Sequence, residues 1–384
     1  MDFSVYLRRT IPNVRDPDLS GEQPLLSWMT ESLTELAIRA PVDVVSIDSS
    51  DLSHKYVNFS GRHRIVWDVA LNQVLWWLMV GMQHERLANS LADPVEISRS
   101  RALASTVFRH TLFSYLAQKL TRFPHTATAF ARLASEEPAS AQVVPILEGD
   151  LIAELSAMQR LLMFYHETTH ALHVERDNFR RQAVFSLKSL MDELPKLVGG
   201  ESALGVDLEI AFPEFAALAE EERLTHFAEE LDCDLQAFVF ASMALPAAPG
   251  IPRRAWQDTI GLLFGASSML AIMERVLKIS VSKWSEFARE SSDGEILCEN
   301  AIVMDQYLRD RPLFYLRRWN TLIALNASLE RRGQARGEDA FAWQGYVIGK
   351  TKGLIESLDE YLGRELNALA TSQFLAKVFA RASR

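Results

Sequence analysis

Runs of β-branched and aromatic residues are concentrated early in the chain. Val42-Asp-Val-Val-Ser-Ile-Asp48, Tyr56-Val-Asn-Phe59 and Arg64-Ile-Val-Trp67 have the composition that packs on a pleated surface. The last two are separated by Ser60-Gly61-Arg62-His63, a turn candidate. A small sheet of about three strands is therefore expected between Pro41 and Trp67.

Almost everything else reads as helix. At Asp93-Pro94-Val95-Glu96 the aspartate caps, the proline takes the first helical position, and Glu96 reaches back to the cap. That helix is expected to run through Phe113 to about Leu120. A segment from about Ile146 to Val174 follows, then another from about Asn178 to Leu190. Gly199-Gly200-Glu-Ser-Ala-Leu-Gly205 is the clearest internal loop, and helices resume near Pro213 and fill most of the chain to Ala380. The Trp76-Trp77 pair, within Val74 to Met82, reads as helix core. No internal repeat or low-complexity linker divides the chain. The expectation is one α+β domain over 1–384, predominantly α-helical, with a helical C-terminal part from about 253 to 384. A looser division after Pro252 is the alternative.

Two apolar runs raise the question of membrane spans. Leu235 to Pro252 is uncharged, but Leu245-Pro-Ala-Ala-Pro-Gly-Ile-Pro breaks any helix there. Thr259 to Met273 is apolar and about five residues short of a bilayer crossing. Both predict buried helices, and the N-terminal residues have no apolar stretch of signal-peptide length. The expected location is cytoplasmic, without membrane spans.

Composition changes little in this picture: 48% hydrophobic and 23% charged residues are ordinary for a globular chain. The net charge of −10 argues against a nucleic-acid-binding face, which needs an excess of Lys and Arg. The local group Arg317, Arg318, Arg331, Arg332 and Arg336 reads as solvated helix face. Cys233 and Cys298 have no CxxC spacing, which excludes a cysteine-built zinc site and a disulfide framework. Cys233, lacking a convincing Cys/His pairing, reads as a buried small residue. No GxxxxGK[ST], GxGxxG or GxSxG occurs, so nucleotide, dinucleotide and α/β-hydrolase chemistry have no support.

One pattern carries chemistry. His166-Glu167-Thr168-Thr169-His170 lies inside the helical segment, so the two imidazoles project from one face a turn apart. At that spacing they can share one Zn²⁺, with Glu167 beside the metal as a general base rather than a ligand. Leu155, Leu162, His166, His170 and His173 fall on one stripe, so this face turns toward a partner layer. The plainer reading is two satisfied polar groups on a half-buried helix. A catalytic site needs a third ligand, and Glu229-Glu230-Leu-Asp-Cys-Asp234-Leu-Gln-Ala237 offers one. On a helix Glu230 and Asp234 share a face, with Ala237 and Ala241 continuing it and allowing close approach to the His helix. Glu230 would then bind the metal and Asp234 would accept the other ring proton of His166. A solvated acidic helix start explains the same run. Glu229, Asp177, Glu209 and His226 are the reserve ligands.

HExxH followed by a downstream Glu-x-x-x-Asp resembles the gluzincin metallopeptidases, over His166, Glu167, His170, Glu230 and Asp234. The resemblance implies a zincin-like core with the small N-terminal sheet packed on the HExxH helix, one Zn²⁺ per chain, and hydrolysis of a peptide or protein substrate. It gives Glu167 the activation of zinc-bound water, Glu230 the third ligand position, and Asp234 the support of a histidine. Arg311-Pro312-Leu-Phe-Tyr-Leu-Arg317 keeps the proline and arginine of a His-Pro…Arg pattern found in some gluzincins, with Arg in place of the histidine. Arg317 becomes a transition-state contact on that reading; a helix start with Pro at its first position explains the segment as well. In size and lack of spans the chain is similar to soluble bacterial peptidases of phage-exclusion or toxin–antitoxin type. The oligomeric state is left open.

Three further residues are candidates for substrate or oxyanion contact. His173 is a spare ligand or substrate contact, or else a packed, hydrogen-bonded histidine. Tyr165 and Tyr315 are phenols that could donate to an oxyanion, and equally core residues. Against the peptidase stand a non-catalytic zincin-fold regulatory or interaction protein with a structural or sensing zinc, and a metal-free helical scaffold.

Overall fold

Three strands, β1 (Val42–Ile47), β2 (Lys55–Phe59) and β3 (Arg62–Asp68), form one sheet in the order β1-β3-β2. β3 is central, parallel to β1 and antiparallel to β2, and Ile65 stands opposite both Val44 and Tyr56. The hairpin turn is tighter than the four residues expected. Ser60 (φ 55°) and Gly61 (φ 73°) make it alone, both in the left-handed region that a two-residue type I′ turn demands. β3 therefore begins at Arg62.

The computed structural model describes residues 2–17, 23–35, 42–136, 149–175, 222–290 and 338–371. Among these the chain is predominantly helical: α1 (Phe3–Thr10), α2 (Gln23–Glu35), α3 (Val69–Ser90), α4 (Pro94–Lys119), α5 (Pro124–Glu136), α6 (Gly149–Glu175), α7 (Glu222–Ala244), α8 (Trp256–Glu290) and α9 (Glu338–Thr371). With the sheet this is an α+β architecture. The expected helix from Asn178 to Leu190, the Gly199–Gly205 loop and the part of the helical C-terminal expectation over 291–337 fall outside the described residues.

Helix starts follow local chemistry. Asp68 ends β3 and caps α3 by accepting from Ala70 N, and Asp93 caps α4 through Val95 N at 2.8 Å with Pro94 in the first turn. β3 is buried on both faces. Ile65 and Trp67 point into the helical core, while Val66 packs with Leu7 and Ile11 of the α1 segment. On that outer side the Arg64 guanidinium lies 4.3 Å from the Phe3 ring centre. The inner face meets α6, where Trp67 and Phe164 pack edge to face at 6.3 Å. α6 is the central helix, with Leu155, Met158, Leu161, Phe164 and Tyr165 all fully buried against the sheet, α7 and α8.

Two expectations need qualifying. Trp76 and Trp77 are half-buried beside Val80 and Val107 on the α3–α4 side, and of the two Trp76 also packs against the main core. The Thr259–Met273 run belongs to a 35-residue helix, α8, which is long and apolar enough by length and composition to cross a membrane. Flanking polar residues extend the helix beyond the run, and 67% of its most apolar stretch is buried inside the fold. As expected, the prolines after Ala244 stop α7, leaving one 3-10 turn at Leu245–Ala247. At the α3–α9 crossing, a Cβ on Gly81 would lie 1.9 Å from the Tyr361 hydroxyl, which donates to Ala104 O at 3.0 Å.

Candidate metal centre

α6 and α7 pack closely because the facing positions on α7 are small: Ala237 and Ala241 are both buried. This brings His166, Glu167 and His170 of α6 beside Glu230 and Asp234 of α7. The two rings stand 5.0 Å apart and nearly perpendicular. Their Nε2 atoms converge on one carboxylate, His166 Nε2 at 3.4 Å from Glu230 Oε2 and His170 Nε2 at 3.6 Å from Glu230 Oε1. A tetrahedral centre with bonds of about 2.0–2.2 Å separates its ligand atoms by about 3.3–3.6 Å. Each imidazole–carboxylate separation falls in that range, one to each oxygen of Glu230. On its other edge His166 Nδ1 lies 3.0 Å from Asp234 Oδ1, the arrangement that keeps the proton on Nδ1 and leaves Nε2 for a metal.

Cys233 is buried as expected but departs from expectation in its pairing. Its thiol sits 3.5 Å from His170 Nδ1, so a Cys/His pairing exists, and His166, His170 and Cys233 also form a candidate donor set with ligand atoms within 4.8 Å of one another. The Glu230 set is the better one. Both Nε2 atoms face the same carboxylate at tetrahedral-edge distances, whereas the sulfur meets the opposite edge of the His170 ring. Burial, with Glu230 and Asp234 adding to it, pushes the Cys233 thiol far up in the metal-free protein.

Electrostatics favour positive charge at His166. Burial opposes an imidazolium at His166, but the hydrogen bonds to Asp234 and Glu230 outweigh it and take the group to about 10. Burial also acts against the Glu230 carboxylate, yet His166 and His170 hold it down at about 2. Glu167 is different. Burial raises it, against lowering by His166 and by the Tyr56 N–H, which donates to Glu167 Oε2 at 2.6 Å.

Beside these groups opens a cavity of about 220 Å³, shared by His166, Glu167, His170, Glu230 and Asp234. Its far wall is α8, with Ser268 and Glu274, and Tyr115 of α4 closes one side. Sequence reasoning missed that wall. The signal was Ser267, Ala271, Glu274 and Lys278 recurring at helical spacing in an otherwise apolar run.

Other candidates lie elsewhere. His173 is buried and bonded through Nε2 to Asp232 Oδ2 at 2.7 Å, off the cavity lining. Tyr165 is fully buried with its hydroxyl 2.6 Å from Ser32 Oγ, which removes it as an oxyanion donor. Glu229 is half-buried on α7 and does not line the cavity. Asp177, Glu209, Tyr315 and Arg317 fall outside the described residues, as does the side chain of His226. Comparison with protein-family models, curated proteins and solved structures gives no match.

Proposed function

We propose that this protein is a zinc-dependent peptidase whose sheet, α6 and α7 make a zincin-like core. The observation that carries the reading is the convergence of two Nε2 atoms on the Glu230 carboxylate, at 3.4 and 3.6 Å, in a cavity that Glu167 also lines. His166, His170 and Glu230 would hold the ion, and Asp234 fixes the His166 tautomer. Bound there, Zn²⁺ would supply Lewis acidity, bringing a water's pKa to about 7 and polarising a carbonyl. Glu167 keeps one oxygen on the Tyr56 amide and uses the other to take the attacking water's proton and pass it to the leaving amine. The resemblance to gluzincins, limited to these five residues, supports the same roles.

Metal analysis of the purified chain should find about one zinc per molecule, lost in His166→Ala. Glu167→Gln should retain the metal and abolish cleavage of a peptide mixture followed by mass spectrometry. Full hydrolysis by Glu167→Gln would remove Glu167 from the role of base. The non-catalytic reading has one observation in its favour, the anchoring of Glu167 to the sheet, and it expects no cleavage by the zinc-loaded wild type.

A further inference from the structure

The cavity holds hydroxyl groups that neither the proposed metal ligands nor the proposed base uses. α8 meets α6 where Gln159 Nε2 donates to Ala266 O at 3.4 Å. Just past that bond both helices enter the cavity lining, α6 with Leu162 and Met163, α8 with Ser267 and Ser268. His166 follows Leu162 by one turn, so this stretch of wall lies about 5 Å along α6 from the first proposed ligand.

Ser268 is 2% exposed, and its hydroxyl has no hydrogen-bond partner among the described residues. Buried hydroxyls on a helix can return to the carbonyl four residues back, as those of Thr168, Thr169 and Thr351 do. Thr111 and Ser280 also go without a partner, but neither lines the cavity. Tyr115 brings a second hydroxyl from α4. It is 5% exposed, lines the same cavity, and makes no hydrogen bond through its phenol among the described residues. Burial, with Glu274 and Asp51 adding to it, keeps that phenol protonated and able to donate. Buried polar groups in this state call for a ligand or water.

The surrounding walls are apolar, formed by Leu52, Leu71, Leu162, Leu270 and Leu277. Of the charged groups on the lining, Glu230 and Asp234 face the histidines and Glu167 holds the Tyr56 amide. Glu274 is engaged within the fold, and Lys278 is exposed. Desolvating a charged tip against a leucine wall costs more than two neutral hydroxyls offset, and a wholly apolar group would leave both hydroxyls dry. A volume of about 220 Å³ exceeds the roughly 150 Å³ that holds a benzene molecule, so a six-membered ring fits with room for a substituent.

Resting on the peptidase reading, we propose that this cavity is a specificity subsite for an uncharged substrate side chain with a hydrogen-bonding tip on an apolar body, read by the Ser268 and Tyr115 hydroxyls. A tyrosine phenol and a glutamine carboxamide both present that chemistry.

The test uses the zinc-loaded full chain and hexapeptides carrying tyrosine, phenylalanine, glutamine, norleucine or glutamate at each position in turn. A polar-tipped peptide should be cleaved with about tenfold higher kcat/KM than its apolar match, mainly through KM. Preference for tyrosine over phenylalanine identifies the phenol as occupant, and preference for glutamine over norleucine identifies the carboxamide. Ser268→Ala and Tyr115→Phe should each reduce the preference several-fold, and together bring it within about twofold, with zinc content and cleavage of the apolar peptides retained. Ser268→Ala should also melt no lower than the wild type, because it removes a hydroxyl that bonds nothing in the fold. A lower melting temperature would assign the hydroxyl to the fold and overturn its part in the subsite. Titration of zinc-loaded Glu167→Gln with the same peptides reads the preference without turnover. Cleavage indifferent to the tip, a preference for glutamate, or one that survives the double variant overturns the subsite and leaves the peptidase standing. A wild type that binds polar-tipped peptides through the two hydroxyls without cleaving them keeps the subsite and overturns the peptidase. Peptides neither bound nor cleaved overturn both.

Discussion

The Asp234→Asn substitution keeps the shape of the side chain and removes its charge. Asp234 Oδ1 lies 3.0 Å from His166 Nδ1, so the change acts on one of the two proposed ligand imidazoles through its far edge. Losing such a partner typically costs about 10–100-fold in metal affinity, or about 1.4–2.7 kcal/mol. The upper end is expected here, because the two ligand rings are supported unequally. His170 Nδ1 faces the Cys233 thiol at 3.5 Å, and sulfur is a weak acceptor. On His166, by contrast, the far edge of the ring meets a carboxylate, that of Asp234. The control is Asp232→Asn, two residues away on α7, which bonds His173 rather than a ligand and should shift affinity by no more than about twofold. Competition with a chromophoric chelator at constant pH measures all three proteins. Equal affinities for the Asp234 and Asp232 variants would refute the reasoning, as would a larger effect from Asp232→Asn.

Two further predictions concern stability. Gly81→Ala should gain about 1 kcal/mol from helix propensity, but its methyl enters the space of the Tyr361 hydroxyl, so a net loss of about 1–3 kcal/mol is expected in urea unfolding. A stabilised Gly81→Ala protein would contradict that packing. His54 accepts from Asp68 N at its Nδ1 and donates from Nε2 to Asn72, and burial lowers it from 6.5 to about 3. The unfolded chain then binds a proton that the folded one refuses. Stability from this group is intact above pH 6.5 and falls by about 1.4 kcal/mol per unit as pH drops toward 3. His54→Gln should lack that slope, which then appears as the difference between the two proteins' melts, and a variant with an unchanged slope would show that the proton is taken up elsewhere.

What could be read in advance was local. The strands announced themselves through Val44, Ile65 and Trp67, the α4 start through Asp93 and Pro94, and the nearness of Glu230 to the imidazoles through helical spacing and the small Ala237 and Ala241. Each depends on neighbours a turn or two away. The far wall of the cavity depends on packing. Glu274 joins Glu167 on the cavity lining only because α8 packs on α6, and Tyr115 arrives from α4, which carries no chemical motif. Cys233 was misjudged because which flank of α7 meets His170 is decided by the rotation of the helix, not by residue spacing.

The bond from Tyr56 N to Glu167 Oε2 comes from main chain, so its survival is indifferent to the identity of nearly any side chain at position 56. Alanine there keeps the amide and loses the ring's bond to His63 and its stacking beside His170. Proline alone among the common residues lacks the hydrogen, and on the border strand β2, where this amide points away from β3, it spares the ladder. Comparing proline with alanine at that codon should therefore separate what the peptide unit contributes from what the ring contributes.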